Sequence, residues 1–327
     1  MSADNRILVG DVGGTHARFA VVEPSDAGPW RILHRLDLVE PFATFKDALR
    51  SYLERAGVTP LPRLAAIAVA GPVAAGTTRF TNRGWDISEQ DLREVGFERA
   101  LLINDFAALA LAVDLLDEKH LHTIGPQLKG IEGGTITILG AGTGFGVSCL
   151  ARYGDLAVPM ATEGGHMSFA PSNADELATL QLMWRQAGRV SIEHILSGDG
   201  LEHLYRTLEE LAGRATPELT AAEISAAALR NEAGPRAALT MFCSIFGAVA
   251  GDLALAHGAR GGVYIAGGIA EKIEGFLIQS PFRRRFEDKG RLTAYVAAIP
   301  TKLIVNPDIA LLGAARSGLV LAPATSS

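Results

Sequence analysis

The chain has 327 residues, 48% of them apolar and 20% charged, with a net charge of −6. That length exceeds what a single hydrophobic core usually serves, so two domains are expected. The acidic balance argues against a general nucleic-acid or membrane-surface partner, and the two distant cysteines, Cys149 and Cys243, make no CxxC zinc or redox motif.

The N-terminal MSADNRILVGDVGG has no apolar core behind a basic start, so no signal peptide is read there. No run of about 18 apolar residues is read as a bilayer span, and the sparing use of cysteine suggests a reducing, cytoplasmic setting. Residues 6–10 (RILVG) and 18–23 (RFAVVE) predict two short strands joined by DVGGTHA, and 30–40 (WRILHRLDLVE) a third. FKDALRSYLERAG (45–57) has a helical period, with Gly57 placed to end it. LAAIAVAGPV (64–73) reads as a buried strand closed by Gly-Pro, and LLIN (101–104) as the end of another that runs into an apolar helix.

Between that strand and that helix sits the polar pair Asn104-Asp105. Asp105 is read as the helix N-cap, because an Asp oxygen satisfies an amide of the first turn. The C-terminal end of a strand in an α/β sheet is also where ligands gather. TITILGAGTGFGVSCLARY (135–153) repeats the strand, glycine turn and strand of residues 6–23, a possible structural duplication. A polar, Gly-rich segment (162–175) and a largely helical stretch (174–258) follow. GGVYIAGGIAEKI (261–273) is a buried strand, a Gly-Gly turn and a helix start. FRRRFEDKGR (282–291), the one strongly basic tract, reads as a solvated helix face, and LIVNPDIALLGAARSGL (303–319) closes the chain with strand, turn and helix.

Three glycine clusters each follow an apolar strand: Gly10-Asp11-Val12-Gly13-Gly14-Thr15, Gly140-Ala141-Gly142-Thr143-Gly144 and Ala266-Gly267-Gly268. Glycine removes Cβ and lets backbone amides approach an anion closely. No Gly-Lys dipeptide exists for a P-loop, and GAGTGFG misses the strict Rossmann spacing and runs into a strand. The first two clusters therefore predict phosphate-gripping hairpins rather than helix-opening loops. A carboxylate among such amides, Asp11, would repel phosphate unless a cation lay between; Mg²⁺ held largely through water suits that place.

In this order, GDVGGTHARFAVVE, INDF, GAGTGFGV, EGGH, SIEHILSGDGL and VYIAGGI resemble the bacterial glucokinase family, hexokinases of the actin-like ATPase superfamily. The resemblance spans nearly the whole chain. It implies an α/β, two-domain actin-like (ribonuclease H-like) ATPase fold, with mixed β-sheets flanked by helices and an interdomain cleft. The smaller domain would hold residues 1–115 with 306–327, and the larger 116–305. It implies that Gly10, Asp11, Val12, Gly13, Gly14 and Thr15 form the first phosphate loop, and Gly140, Gly142, Thr143 and Gly144 the second. Gly267 and Gly268 would face adenosine. Asp105 matches the family's catalytic carboxylate, and Asn104, Glu163, His166 and Glu193 match its sugar ligands, with Asp105 also touching the sugar.

Two departures stand out. His16 replaces the Asn common in the family's first loop and is left off the site, and SGDGL replaces the commoner SGPGL. The related repressor/kinase family adds a zinc-binding cysteine cluster, which two cysteines cannot supply.

The chemistry fits these residue types. Phosphoryl transfer to a sugar hydroxyl needs alignment, charge neutralisation and a proton acceptor. Asp105, at a helix start whose dipole favours a carboxylate, suits the acceptor. Carboxylates, Asn and His can read neighbouring sugar hydroxyls that both donate and accept. A Glu-x-x-His metal pair is the rival reading of Glu163 and His166, but Gly164-Gly165 disfavours the helix it needs. The expected activity is ATP- and Mg²⁺-dependent formation of glucose 6-phosphate by a cytoplasmic enzyme, and the resemblance implies a homodimer. Alternatives are a kinase for another hexose (mannose, fructose or an amino sugar) and a non-catalytic sugar-binding regulator. Phosphate loops do not read a base, so the residues themselves leave ATP, ADP and polyphosphate open as donors.

Overall fold

The computed structural model describes residues 5–13, 17–26, 28–80, 84–215 and 217–321. Internal contacts divide the chain into two units, Met1–Asp117 with Asn306–Ser327, and Glu118–Val305.

The first unit runs β1 (Ile7–Val12), β2 (Ala17–Glu23), β3 (Arg31–Leu38), α1 (Phe45–Ala56), β4 (Leu64–Val69), β5 (Thr77–Phe80), β6 (Trp85–Ser88), α2 (Glu89–Val95), β7 (Arg99–Asn104) and α3 (Asp105–Ala112). Its main sheet has the order β3-β2-β1-β4-β7, with β1 antiparallel to β2 and parallel to β4, and β4 parallel to β7. Every residue of β4, LAAIAV, is buried, as an interior parallel strand covered on both faces requires. On one side Phe19 of the sheet packs against Phe45 and Tyr52 of α1, and Trp85 packs against Phe45. α1 ends as its sequence suggests, with Gly57 in the left-handed conformation at φ 60°, and at its start Thr44 Oγ1 accepts the Asp47 amide. On the other side α3 packs against the chain's last helix, α12 (Ile309–Leu321). Their approach is backbone to backbone, since a Cβ on Gly313 would lie 2.4 Å from the Ala108 carbonyl oxygen.

The sequence reading predicts no element between 74 and 100, where the β5–β6 hairpin and α2 lie. The signal for α2 is a capping box, in which Ser88 and Asp91 satisfy each other's amides.

The second unit contains β8 (Leu121–Thr123), β9 (Ile136–Ala141), β10 (Phe145–Tyr153), β11 (Leu156–Thr162), α4 (Ala174–Ala187), α5 (Gly198–Leu211), α6 (Ala221–Leu229) and α7 (Ala233–His257). It continues with β12 (Gly262–Ala266), α8 (Gly268–Lys272), α9 (Glu274–Gln279), α10 (Phe282–Glu287), α11 (Thr293–Ala297) and β13 (Thr301–Ile304). The sheet order is β11-β10-β9-β12-β13-β8. Its first five members repeat the first unit's order and sense: two antiparallel pairs, then two parallel ones. The recurring strand–glycine–strand pattern thus has a structural counterpart.

α7 is long and apolar enough to cross a membrane, yet it is the core helix of this unit. Its Phe242 and Phe246 are buried, and Phe246 meets Phe145 and Phe282 edge-on. Gly247 and Gly251 admit α10 so closely that a Cβ on either would fall within 2.4 Å of a carbonyl oxygen of Phe282 or Phe286. Both cysteines are free and buried, and burial pushes the Cys243 thiol up to about 12.

The basic tract corrects the sequence reading, because it is not a solvated face. Arg283 and Arg285 are only 8% and 9% exposed. Arg283 donates to the carbonyls of Ala297 and Ile299, to Thr301 Oγ1 and to Glu287 Oε1, at 2.7–3.0 Å. Arg285 pairs with the buried Glu176 at 2.9 Å. A sequence shows the charges of such a tract but not the tertiary carbonyls that satisfy them.

Arg283→Ala strands those acceptors in the interior and should cost about 3–5 kcal/mol of stability. Arg283→Lys should recover only part of this, because one ammonium cannot span the guanidinium's fork of acceptors. Urea unfolding of the three proteins checks both.

Candidate active site

In the first unit, register aligns the ends of three strands. Val12 lies beside Val69, and Val69 beside Asn104, so the C-terminal ends of β1, β4 and β7 form one edge. Two strand spacings, about 10 Å, separate Val12 from Asn104 along it. Asp11 is therefore kept well apart from Asp105, and each carboxylate can serve a different partner.

The capping assignment also changes. Asn104, not Asp105, is the N-cap of α3: its Oδ1 accepts the Ala107 amide at 3.1 Å, and its Nδ2 donates to the Gly71 carbonyl at 3.2 Å. Asp105 is the first helical residue, with Oδ1 accepting the Phe106 amide at 2.8 Å. Asn can satisfy a loop carbonyl and a helix amide at once, which Asp cannot. That frees Asp105 from the cap position without moving it from the ligand-bearing edge.

Of the first glycine cluster, Gly10 and Val12 are buried inside β1. Gly10 makes room for a neighbour, since a Cβ there would meet Ile67 Cδ1 at 2.8 Å and the Phe19 ring at 3.1 Å. Gly13 follows the strand, while Gly14, Thr15 and His16 lie outside the described residues.

Asp11 faces a charged network. Arg18 Nη1 stands 3.9 Å from its Oδ2, while Arg18 binds Asp37 at 3.1 Å and the Pro307 carbonyl at 2.9 Å. Burial pushes the Asp11 carboxyl up, Arg18 opposes the shift and Asp37 adds to it. The side chain keeps 31% exposure, so this is desolvation at a sheet edge rather than in a sealed core. Among the described residues no cluster of three or more His, Cys, Asp or Glu could hold a metal. Mg²⁺ does not need one when water and phosphate oxygens fill most of its shell, and a carboxylate whose cation partner is this distant fits that demand.

In the second unit, β9 and β10 turn through Gly142, Thr143 and Gly144. The Gly142 amide donates to the Gly144 carbonyl at 2.8 Å, and the Gly198 amide, at the start of α5, donates to the Gly142 carbonyl at 2.9 Å. Thr143 is exposed at the tip. Parallel pairing sets Ala266 beside Gly140, and Gly267, at φ 95°, would put a Cβ 2.5 Å from the Ala141 carbonyl oxygen. The second and third glycine clusters thus meet at one edge, with Gly268 opening α8.

Glu163 leads from β11 into a 3-10 turn, Gly164–His166, too short for the helical metal pair considered above. The His166 ring lies between two carboxylates, its Nε2 3.8 Å from Glu163 Oε2 and its Nδ1 4.0 Å from Glu193 Oε1. Glu163 and His166 are each 57% exposed and Glu193 33%, leaving this cluster open to a polar ligand. It is fixed against the hairpin: the Phe145 amide donates to Glu193 Oε2 at 2.8 Å, and the Glu193 amide to the Gly165 carbonyl at 2.9 Å.

The family described as Glucokinase matches residues 8–319. The chain belongs to the glucokinase family. The glucokinase of Caulobacter sp. (strain K31) is 47% identical over 309 residues, covering 94% of this chain and 93% of that one. The crystal structure of a glucokinase from an Antarctic psychrotroph has a TM-score of 0.87 at 36% identity, covering 96% of this chain and 99% of that one. A ROK-family glucokinase from Streptomyces griseus, in complex with glucose and AMPPNP, shares the fold at a TM-score of 0.64 and 19% identity, covering 96% and 99%. The chain has the two-domain actin-like α/β fold of these glucokinases.

Three supporting groups of this glucokinase-family site escape the sequence reading. Arg18 carries the Asp11 network. Arg189 Nη2 donates to the His166 carbonyl at 2.6 Å, and Gly198 braces the second hairpin. Arg18 is a half-buried charge in a strand whose middle, residues 19–22, is buried; Gly198 belongs to the SGDGL motif, whose bracing role the motif does not show, and Arg189 leaves no local signal.

Gly165 is a backbone contact point, since a Cβ there would lie 2.1 Å from the Phe145 carbonyl oxygen, whereas Gly142 has nothing within 4 Å. Gly165→Ala should cost about 1–3 kcal/mol, the usual penalty for overpacking. Gly142→Ala should be close to neutral. Thermal melts of the two variants check the contrast.

Proposed function

We propose that the chain is a cytoplasmic glucokinase that transfers the γ-phosphoryl group of ATP to the 6-hydroxyl of D-glucose, the first step of glycolysis. The observation that carries this reading is the gathering of Glu163 and His166, from one turn, with Glu193, from a second segment bonded to that turn, against a glycine hairpin. Their acceptors and donors suit neighbouring sugar hydroxyls, and Asn104 adds an amide that can do both. Gly13, Gly14 and Thr15, with Gly142, Thr143 and Gly144, would present backbone amides to the phosphates, and Gly267 and Gly268 would flank the adenosine.

In the reaction the sugar's 6-oxygen forms a bond to the γ-phosphorus while the bond from that phosphorus to the β,γ-bridging oxygen breaks. ADP leaves with the electron pair, and the hydroxyl proton passes to the Asp105 carboxylate. The Phe106 amide on Oδ1 holds that carboxylate in one orientation. Mg²⁺, when bound, neutralises phosphate charge, and Asp11 would hold it through water. A homodimer is also proposed, supported by the apolar side chains Leu156, Val158 and Met160, exposed at alternate positions of the outer strand β11.

Asp105→Asn keeps the acceptor for Phe106 but cannot take the proton, so kcat should fall by about 10²–10⁴. Glucose binding, followed by calorimetry, should stay near that of the unaltered chain. Removing Mg²⁺ with EDTA should stop turnover in both proteins.

A further inference from the structure

Glu193 has two oxygens with different neighbours. Oε2 accepts the Phe145 amide at 2.8 Å, at the point where the second glycine hairpin re-enters the sheet. Oε1 faces His166 Nδ1 at 4.0 Å, within the cluster assigned to the sugar. The hairpin end is pinned twice, because the Phe145 ring is buried edge-on against Phe246 in the core. Gly144 completes the fit, since a Cβ there would lie 2.5 Å from Glu193 Oε2. The same stretch is tied to the sugar-side turn by the Glu193 amide on the Gly165 carbonyl, and to α5 by the Gly198 amide on the Gly142 carbonyl.

We propose that Glu193 is a positioning residue that straps the sugar cluster to the second phosphate hairpin, so that sugar and nucleotide each tighten the binding of the other through this one carboxylate. The proposal rests on the glucokinase reading for the identity of the two ligands. A hydroxyl donating to Oε1 fixes the rotamer that places Oε2 on the Phe145 amide; a hairpin already closed on phosphate fixes Oε2 and so presents Oε1 to the sugar. Coupling of this kind is reciprocal in binding free energy.

Two substitutions separate the strap from general damage. In Glu193→Gln the amide needs an acceptor at Phe145, so the single side-chain oxygen turns there and the NH₂ replaces Oε1. Hairpin geometry survives, and the acceptor offered to the sugar is lost. Gly144→Ala adds a methyl group on the nucleotide side whose cheapest relief is to push the flexible Glu193 carboxylate aside, leaving the backbone in place.

The experiment is calorimetry on the full chain with Mg²⁺, using AMPPNP and glucose as probes, alone and together. Glucose should tighten AMPPNP binding to the unaltered chain by roughly fivefold or more, the lower end of usual couplings. Glu193→Gln should keep the sugar-free AMPPNP affinity and lose that enhancement. Gly144→Ala should weaken glucose binding measured without nucleotide, although it lies in the phosphate hairpin. Full coupling in Glu193→Gln, or unchanged glucose affinity in Gly144→Ala, overturns the strap. If the unaltered chain bound no glucose, the glucokinase reading would fail separately. The strap would then stand or fall on whether Glu193→Ala weakens sugar-free AMPPNP binding.

Discussion

Backbone approaches that only glycine allows govern the second unit's site. Gly165 brings the sugar-side turn against the Phe145 carbonyl, Gly144 leaves space for the Glu193 carboxylate, and Gly267 seats the third glycine cluster on the end of β9. A side chain at Gly165 or Gly267 would press on a backbone carbonyl and force the segments apart, whereas one at Gly144 would displace the Glu193 carboxylate. Three stretches distant in sequence thereby become one surface, with amides and carboxylates at fixed separations.

The first unit solves the same problem with strand register. Parallel pairing of β1, β4 and β7 carries Asp11 and the Asn104-Asp105 pair to one edge, about two strand spacings apart. Asn104 takes over the capping work, bonding both α3 and the Gly71 carbonyl, and Asp105 remains at the rim of the helix. The separation matters chemically for the roles proposed: a carboxylate holding a hydrated cation and one taking a hydroxyl proton would perturb each other at shorter range. The repeated sheet order places the antiparallel β1–β2 pair of the first unit where the β9–β10 pair carries the glycine hairpin in the second.

Much of this was legible in the sequence, for local reasons. The glycine cluster at residues 140–144, directly after an apolar strand, announces the β9–β10 hairpin, and Gly57 announces the end of α1. The order of motifs along the chain is enough to indicate the family. What escaped depends on partners far along the chain. Asp105 looked like the cap because Asp and Asn are equally good caps, and only the Gly71 carbonyl distinguishes them. Arg283 and Arg285 looked solvated because the acceptors at Ala297, Ile299 and Glu176 lie in other elements. The resemblance assigns Glu193 to the sugar, but its second contact, on the Phe145 amide, appears only in the folded chain. β11 was missed because Pro159 and a half-exposed alternation suit an outer strand and give no strong apolar run.

The measurement that tests the central claim most directly is ADP release from Mg·ATP with glucose, mannose, fructose, N-acetylglucosamine or no sugar. The account predicts turnover that depends on glucose and exceeds both the sugar-free rate and the rates with the other hexoses. Turnover greatest with another hexose would contradict the glucose assignment, and ADP release indifferent to every sugar would contradict the kinase assignment itself.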